Sequence, residues 1–559
     1  MAAHDDGPIH ADTIGQLLRT AAGTFGETTA VIAGDTRWSF VELEQHTRDY
    51  ARRLLARGVG KGTHVGVSFG NDAHCVVALL AAARVGAVAV PISTFARGRE
   101  LRRLLRRGDV AAVLTARTVV GVDQIGRLTA ALPNLAEAQA GFLALPEAPN
   151  LRWIEFRSEA DKLPRWALDE AEAPRLVDDA LLDAVEADVT PDDVALMIHT
   201  SGTTADPKGV PHLHDTVCFR ARYLAERMQY RPGERTYTSH VLFWIGGLTM
   251  SLFTSIAAGS TSVWCERFDA AEVLAAIERE RITRLVIYPH QVEQILQLPE
   301  LATTDRSSLR VADPRLLVGP GGGIRTPEGH RMALGMSETF GPFSWGSGGA
   351  NHIAPLEDIQ PGLQVRVVDD DNQPLADGQT GEIVLRGRCV TPGYYKRPRE
   401  HGFDADGWFH TGDRGLIDGA AIHYQGRVVH MIKTAGANVA PAEVVEALMA
   451  LDGVAEAYVV PVPDETRGQL VAAAVVLDAS SDLNGHRIRD ELKKDLSPFK
   501  VPALVALFDS EDIPWTPTFK VRTHELTEQI LARTNDTREP DPAMIQRAVT
   551  DPANAIPSL

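Results

Sequence analysis

Apolar positions along the chain switch repeatedly between two periods. Between residues 36 and 115, "FVELEQHTRDYARRLLARG" repeats them every three to four residues, as one buried face of a helix does. "HVGVSF" alternates them as a strand does, and further helix–strand pairs follow. Such alternation predicts α/β layers around a largely parallel sheet. The most apolar run, "CVVALLAAARVGAVAVPI" (75–92), is divided by Arg84 and Gly86 and reads as a buried helix turning into a strand rather than a membrane span. "RELRRLLRRGD" sets Leu101, Leu104 and Leu105 on one face and arginines on the other, which predicts a helix with a solvated basic face.

Farther on, "VALMIH" has the pattern of a short buried strand, a glycine- and hydroxyl-rich loop follows, and "DTVCFRARYLAERM" is helical. "LQVRVVDDDNQPLADGQTGEIVLRG" reads as strands joined by turns; its acidic cluster fails as an EF-hand loop, because Pro374 stands where the turn glycine belongs. Beyond Arg427 the pattern restarts. "VAPAEVVEALMAL" is a helix with Pro441 suited to its first turn, "GVAEAYVVPV" and "QLVAAAVVL" are strands, and "NGHRIRDELKKDL" is another helix. This places a boundary at 427–430, dividing the chain into domains 1–427 and 428–534, with a polar, proline-rich tail at 535–559.

A length of 559 residues fits two to four folding units, and 44% hydrophobic with 23% charged residues is an ordinary globular composition. The net charge of −18 argues against non-specific binding to nucleic acid or an anionic membrane, so a polyanionic substrate needs a local site working against the overall field. Cys75, Cys218, Cys265 and Cys389 lie far apart with no CxxC pair, a pattern that suits a reducing cytoplasm better than a disulfide framework or a zinc site. No secretory signal is visible at the N-terminus.

Candidate chemistry begins at "MIHTSGTTADPKGV" (197–210). A strand running into such a loop and then a helix offers backbone N–H groups, hydroxyls and the Lys208 charge to phosphate oxygens. The Walker pattern fails, since Lys208 lies between Pro207 and Gly209 with no hydroxyl beside it, and an ordinary surface loop is the alternative. No GxSxG elbow or HExxH helix occurs, and "GPGGGI" lacks the last glycine of GxGxxG.

Five segments taken together change the balance. "TSGTTADPKGV" resembles the phosphate loop of the adenylate-forming superfamily, "GMSETFG" (335–341) its adenine and magnesium motif, and "GWFHTGDRG" (407–415) its ribose motif. "GRVVHMIKTAGANVAPAEVVEAL" (426–448) resembles its hinge and following loop, and "PWTPTFKV" (514–521) its C-terminal lysine motif. The segments stand in the family's order and span roughly residues 12 to 530, closest in character to the acyl-CoA synthetase branch. The resemblance implies a large multi-layer N-terminal α/β domain and a small mobile α+β C-terminal domain. It also implies activation of a small-molecule carboxylic acid by ATP with Mg²⁺ and transfer of the acyl group to coenzyme A.

By the same resemblance, Thr200, Ser201, Gly202, Thr203, Thr204 and Lys208 would hold the β- and γ-phosphates, and Gly335, Met336 and Ser337 the adenine. Glu338 would bind Mg²⁺, Asp413 the ribose hydroxyls, and Arg427 the ribose or phosphate. Lys520, on the mobile domain, would be catalytic, bridging carboxylate and α-phosphate oxygens as charge develops. Lys433 and Gly436 match positions that face the active site after the small domain rotates for the second step, with Gly436 letting the pantetheine arm pass; Lys500 resembles a lysine near the coenzyme A nucleotide.

The chain departs from the family pattern at several points. Ala205 replaces a loop glycine, Leu334 an adenine-stacking aromatic, and Phe519 the glycine before the lysine; Val429 occupies the hinge position, and the segment 323–335 is short. Trp244 falls where many members have His or, for amino acids, Asp, so an α-amino acid is disfavoured. Trp244, Phe243, Gly246, Tyr288, Gly321, Gly322 and Gly323 form a candidate acyl pocket for an apolar, fatty or ring-bearing acid. An enzyme loading a carrier protein or an amine, and a nucleotide-binding protein of weak activity, stay open beside the ligase. Oligomeric state is open too, a homodimer included.

Overall fold

The computed structural model describes residues 7–141, 143–157, 162–174, 176–200, 208–317, 332–346, 352–427, 431–464, 466–478, 481–514 and 521–535. The strongly apolar helix Ala73–Arg84 has no polar stripe to meet water, and it is buried along its length. With Ile14–Phe25 and Phe40–Ala56 it fills a core that takes Val31 and Ala33 from one sheet and Val65, Val67 and Leu196 from another. Each helix begins at a polar cap: Thr13 accepts from the Gln16 amide, Ser39 closes a capping box with Glu42, and Asp72 accepts from Cys75. Arg84 ends its helix inside this core, and its guanidinium is paired with Glu44 and Glu186.

The first sheet runs Arg284–Val286, Arg235–Thr238, Thr261–Trp264, Thr29–Ala33, Thr36–Ser39, parallel except for its last pair. The second has seven strands: Lys208–Leu213, Val194–Thr200, Val88–Pro91, His64–Ser68, Ala112–Thr115, Trp153–Phe156, Leu168–Asp169. It is parallel except where Val194–Thr200 meets Lys208–Leu213. That exception corrects the sequence reading. The loop after Thr200 does not lead straight into a helix: Lys208 opens a strand, Thr200 and Lys208 face each other in register, and the helix His214–Arg227 starts only afterwards. The strand signal in Val210 and Leu213 was hidden by Pro211 and two histidines.

A third, antiparallel sheet joins Ile353–Pro355, Ala421–Arg427, Phe409–Asp418, Gly381–Gly387 and Leu363–Val368. The last two pair from Leu363↔Gly387 to Val368↔Glu382, the hairpin expected around the acidic cluster. The smaller C-terminal unit has its own cores. Strands Val454–Asp464 and Gly468–Leu477 pair antiparallel, Leu504–Phe508 runs parallel beside the latter, and helices Pro441–Met449, Gly485–Asp495 and Thr523–Asn535 pack against them. Pro441 sits in its helix's first turn, where its missing N–H costs nothing. The boundary residues 428–430 and the tail beyond 535 lie outside the described residues.

The helix Gly98–Arg107 buries Leu101, Leu104 and Leu105 as its pattern predicts. Its basic face is not simply solvated. Arg102 Nε donates to the Ala131 carbonyl at 2.8 Å, Arg106 Nη1 to the Pro146 carbonyl at 2.9 Å, and Arg99 and Arg103 pair with Glu446 of the small unit. A local pattern cannot reveal a partner more than 300 residues away.

Candidate active site

A cavity of about 610 Å³ opens where the two units meet. One wall is the end of the strand Val194–Thr200, next to the edge of the seven-stranded sheet, with Ile198, His199 and Thr200. Another is the ribbon of Met332–Met336 against Gly341–Gly346, which contributes Ala333, Gly335 and Met336, with Ser337 just beyond. Gly335 has to be glycine, because a Cβ there would lie 2.6 Å from the Pro342 Cα. Trp244, Ile245, Gly246, Met250 and Tyr288 form an apolar side, and Gly436, Asn438, Phe499 and Lys500 of the small unit close it.

One segment, Thr391–Tyr395, ties the hairpin of Val194–Thr200 and Lys208–Leu213 to Glu338. The Tyr394 hydroxyl donates to Glu338 Oε1 at 2.8 Å, and the face of the same ring meets the Lys208 ammonium, 4.6 Å from its centroid. Backbone bonds repeat the link: the Thr391 amide donates to the Glu338 carbonyl at 2.7 Å, and Tyr395 to Gly209 at 2.9 Å. The structure therefore gathers Lys208 and Glu338 around Tyr394, one over its ring face and the other at its hydroxyl. Asp413, only 4% exposed, lies opposite Arg427 in the register of two antiparallel strands, and its amide donates to Thr411 Oγ1 at 3.0 Å.

Several expected residues fall elsewhere. Ser201, Gly202, Thr203, Thr204 and Ala205, Gly321, Gly322 and Gly323, Val429, and Phe519 with Lys520 lie outside the described residues, as does the side chain of Arg427. Lys433 is exposed and off the cavity, its ammonium 5.9 Å from the Tyr424 ring centroid. Lys500 lines the cavity, but its ammonium is held by Glu100 at 2.6 Å and Glu443 at 2.7 Å rather than presented to solvent. Burial works to lower its pKa, and the pull of the two carboxylates overcomes that and raises it above the usual lysine value. Leu334 packs against the antiparallel-sheet core while its neighbours Ala333 and Gly335 line the cavity.

The apolar wall is richer in rings than the sequence suggested. Phe95, Phe243 and Trp244 of the large unit meet Phe499 of the small one; Phe499 stands edge-on to Phe95 at 5.8 Å and to Trp244 at 6.2 Å. His240 packs on Tyr288 with centroids 4.6 Å apart. Gly246 is pressed so near that a Cβ would lie 3.1 Å from His240 Nδ1. Burial brings the pKa of both His240 and His199 down to about 4, with the charge of His64 adding to the effect at His199, so the cavity carries neutral imidazoles at pH 7. Gly436 adopts φ +85°, and a Cβ there would meet Tyr288 Cε1 at 3.0 Å; backbone of the small unit packs against the apolar wall.

Residues 18–395 match the AMP-binding enzyme family, and residues 443–520 match the AMP-binding enzyme C-terminal domain. The chain belongs to the AMP-binding enzymes. It stands with the acyl-CoA ligases of the adenylate-forming superfamily, whose members use ATP, Mg²⁺ and coenzyme A. A 3-[(3aS,4S,7aS)-7a-methyl-1,5-dioxo-octahydro-1H-inden-4-yl]propanoyl:CoA ligase of Rhodococcus jostii is 32% identical over 92% of this chain and 98% of its own length. An indoleacetate–CoA ligase of Aromatoleum aromaticum is 28% identical over 92% of this chain and 97% of its own. Among solved structures, the amide bond synthetase of Marinactinospora thermotolerans shares the fold with a TM-score of 0.71 at 23% identity, over 92% of this chain and 99% of that one.

Within this AMP-binding enzyme the donors suit the magnesium ion that the family uses. Glu338 offers hard carboxylate oxygens, one of them 2.8 Å from the Tyr394 hydroxyl whose ring faces Lys208. When bound, the ion would neutralise triphosphate charge. Sequence reasoning missed Tyr394, His240, Phe499, Glu100 and Glu443. "GYY" and "SPFK" mark two of these places by their aromatics, but neither names a partner.

Proposed function

We propose that this enzyme couples an apolar, fatty or ring-bearing carboxylic acid to coenzyme A through an acyl-adenylate. In the first step a carboxylate oxygen attacks the α-phosphorus of ATP and pyrophosphate leaves. In the second, the coenzyme A thiol loses its proton to solvent, its sulfur attacks the acyl carbon, and AMP leaves. The observation that carries the reading is the single cavity lined by Thr200, the Gly335–Ser337 strip, the Trp244–Tyr288 wall and Gly436. Thr200 to Thr204 and Lys208 hold the departing phosphates, Gly335, Met336 and Ser337 the adenine, Asp413 and Arg427 the ribose side, and Glu338 the magnesium. Lys520 stabilises the charge that develops during the first step.

Trp244, Ile245, Met250 and Tyr288 support an acid with an extended or cyclic apolar body, as do the ring-bearing acids in the names of the two relatives. Among the described residues no acidic side chain stands on that wall to hold an α-ammonium group. Four cysteines without disulfides suit a reducing compartment, the basis for assigning the enzyme to the cytoplasm. Among the described residues no helix is long and apolar enough to cross a membrane. The test is a panel containing dodecanoate, 3-phenylpropanoate, indole-3-acetate and bicyclic propanoates, with ATP and Mg²⁺, with and without coenzyme A. Acid-dependent AMP release and a coenzyme A thioester are expected. AMP release with no thioester would redirect the reading to another acceptor.

A further inference from the structure

An extended polar contact at the edge of the cavity lies between the helix Gly98–Arg107 and the small unit. Arg99 and Arg103 stand one helical turn apart, so both forks reach the single Glu446 carboxylate, with Arg103 Nη1 to Glu446 Oε2 at 3.1 Å. Glu100 points to the next segment, accepting from the Ser497 amide at 3.1 Å, the Ser497 hydroxyl at 2.5 Å and Lys500 Nζ at 2.6 Å. Glu443, on the same small-unit helix as Glu446, completes the Lys500 pair. Three cations thus meet three carboxylates. Gly98 adopts φ +36°, and a Cβ there would lie 2.6 Å from Asp495 Oδ1 and 2.7 Å from the Lys494 carbonyl, so the backbones themselves are in contact.

Resting on the ligase reading above, we propose that Arg99, Arg103 and Glu446, with Glu100 and Lys500 beside them, are positioning residues for thioester formation. They hold the small unit where Gly436 meets Tyr288 and Phe499 enters the aromatic wall. A charge-balanced contact, partly exposed at Arg99, Arg103 and Glu446 and largely buried at Lys500, Glu100 and Glu443, suits a unit that must also leave: each ion is rehydrated on opening, whereas a large apolar face would not release. Apart from Lys500, which by resemblance lies near the coenzyme A nucleotide, none of these side chains is assigned to a substrate.

The test uses the full chain with indole-3-acetate or dodecanoate, whichever supports exchange. Glu446→Arg is expected to keep acid-dependent ATP–pyrophosphate exchange within about twofold, while thioester formation from the preformed acyl-adenylate falls about tenfold or more. Arg99→Glu/Glu446→Arg should recover most of that loss. Salt should act with opposite signs, slowing the wild-type second step and speeding that of Glu446→Arg by screening repulsion. Glu446→Gln, which only removes attraction, should show a smaller loss and guards against misfolding of the reversed variant. An unchanged thioester step, or equal loss in both half-reactions, overturns the proposal while leaving the ligase reading intact. Absence of any acid-dependent exchange in the wild type overturns both.

Discussion

Removing the Tyr394 hydroxyl isolates one link between the strand opened by Lys208 and Glu338, the carboxylate proposed to hold magnesium. Tyr394→Phe keeps the ring that faces Lys208 at 4.6 Å and packs on Phe409 at 6.2 Å, but deletes the 2.8 Å donation to Glu338. A hydrogen bond to a charged acceptor contributes about 1.5–3 kcal/mol. Tyr394 and Glu338 are both half-buried, so water replaces part of the loss and a net ~1–2 kcal/mol is reasonable, a factor of about 5–30. Acid-dependent ATP–pyrophosphate exchange, titrated with Mg²⁺, reads it directly. The half-saturating Mg²⁺ concentration should rise by that factor, and Tyr394→Leu, which also removes the ring face, should cost a further ~0.5–1 kcal/mol. Unchanged exchange at limiting Mg²⁺ in Tyr394→Phe would show that orientation of Glu338 by Tyr394 plays no part in catalysis.

Lys520→Ala should slow adenylation by about 10²-fold or more, and wild-type exchange rates in that variant would remove Lys520 from the mechanism. Gly436→Ala places a side chain at φ +85° and 3.0 Å from Tyr288; a left-handed non-glycine residue costs ~1–2 kcal/mol, so thioester formation should fall more than exchange, and equal effects would contradict a role confined to the second step. Buried His199, His214 and His240 have pKa values lowered to about 4, and His212 to about 3, against 6.5 for an ordinary imidazole. Below pH 6.5 the unfolded chain therefore binds more protons than the folded one. Their contribution is full above that pH and is lost as pH falls through 6.5 toward 4. The thermal midpoint should drop between pH 7 and pH 5, and a flat profile would contradict the burial assigned to these rings.

What was legible in the chain follows from the range of each signal. The helix Ala73–Arg84, the hairpin Leu363–Val368 with Gly381–Gly387, and the small unit's helix–strand order depend on local periodicity and turn chemistry, and they stand where the pattern put them. The strand after Lys208 was not legible, because its stability comes from pairing with Val194–Thr200 rather than from its own sequence. The arginines of Gly98–Arg107 have the pattern of a solvated face. Their partner Glu446 is fixed only by how the two units meet. In the candidate site, the motifs pointed in advance to Thr200 and Gly335–Ser337, which line the cavity. The ring contacts of Phe499 and the Tyr394–Glu338 bond depend on three-dimensional proximity and left no trace in spacing.

Oxygen transfer tests the central chemistry most directly. An acid that supports exchange, labelled with ¹⁸O at both carboxylate oxygens, is turned over with ATP, Mg²⁺ and coenzyme A, and the nucleotide product is examined by mass spectrometry. Attack by the carboxylate on the α-phosphorus, followed by thiol attack on the acyl carbon, predicts AMP carrying one labelled oxygen. Label in inorganic phosphate with ADP as product, or unlabelled AMP, would contradict an acyl-adenylate formed in this cavity.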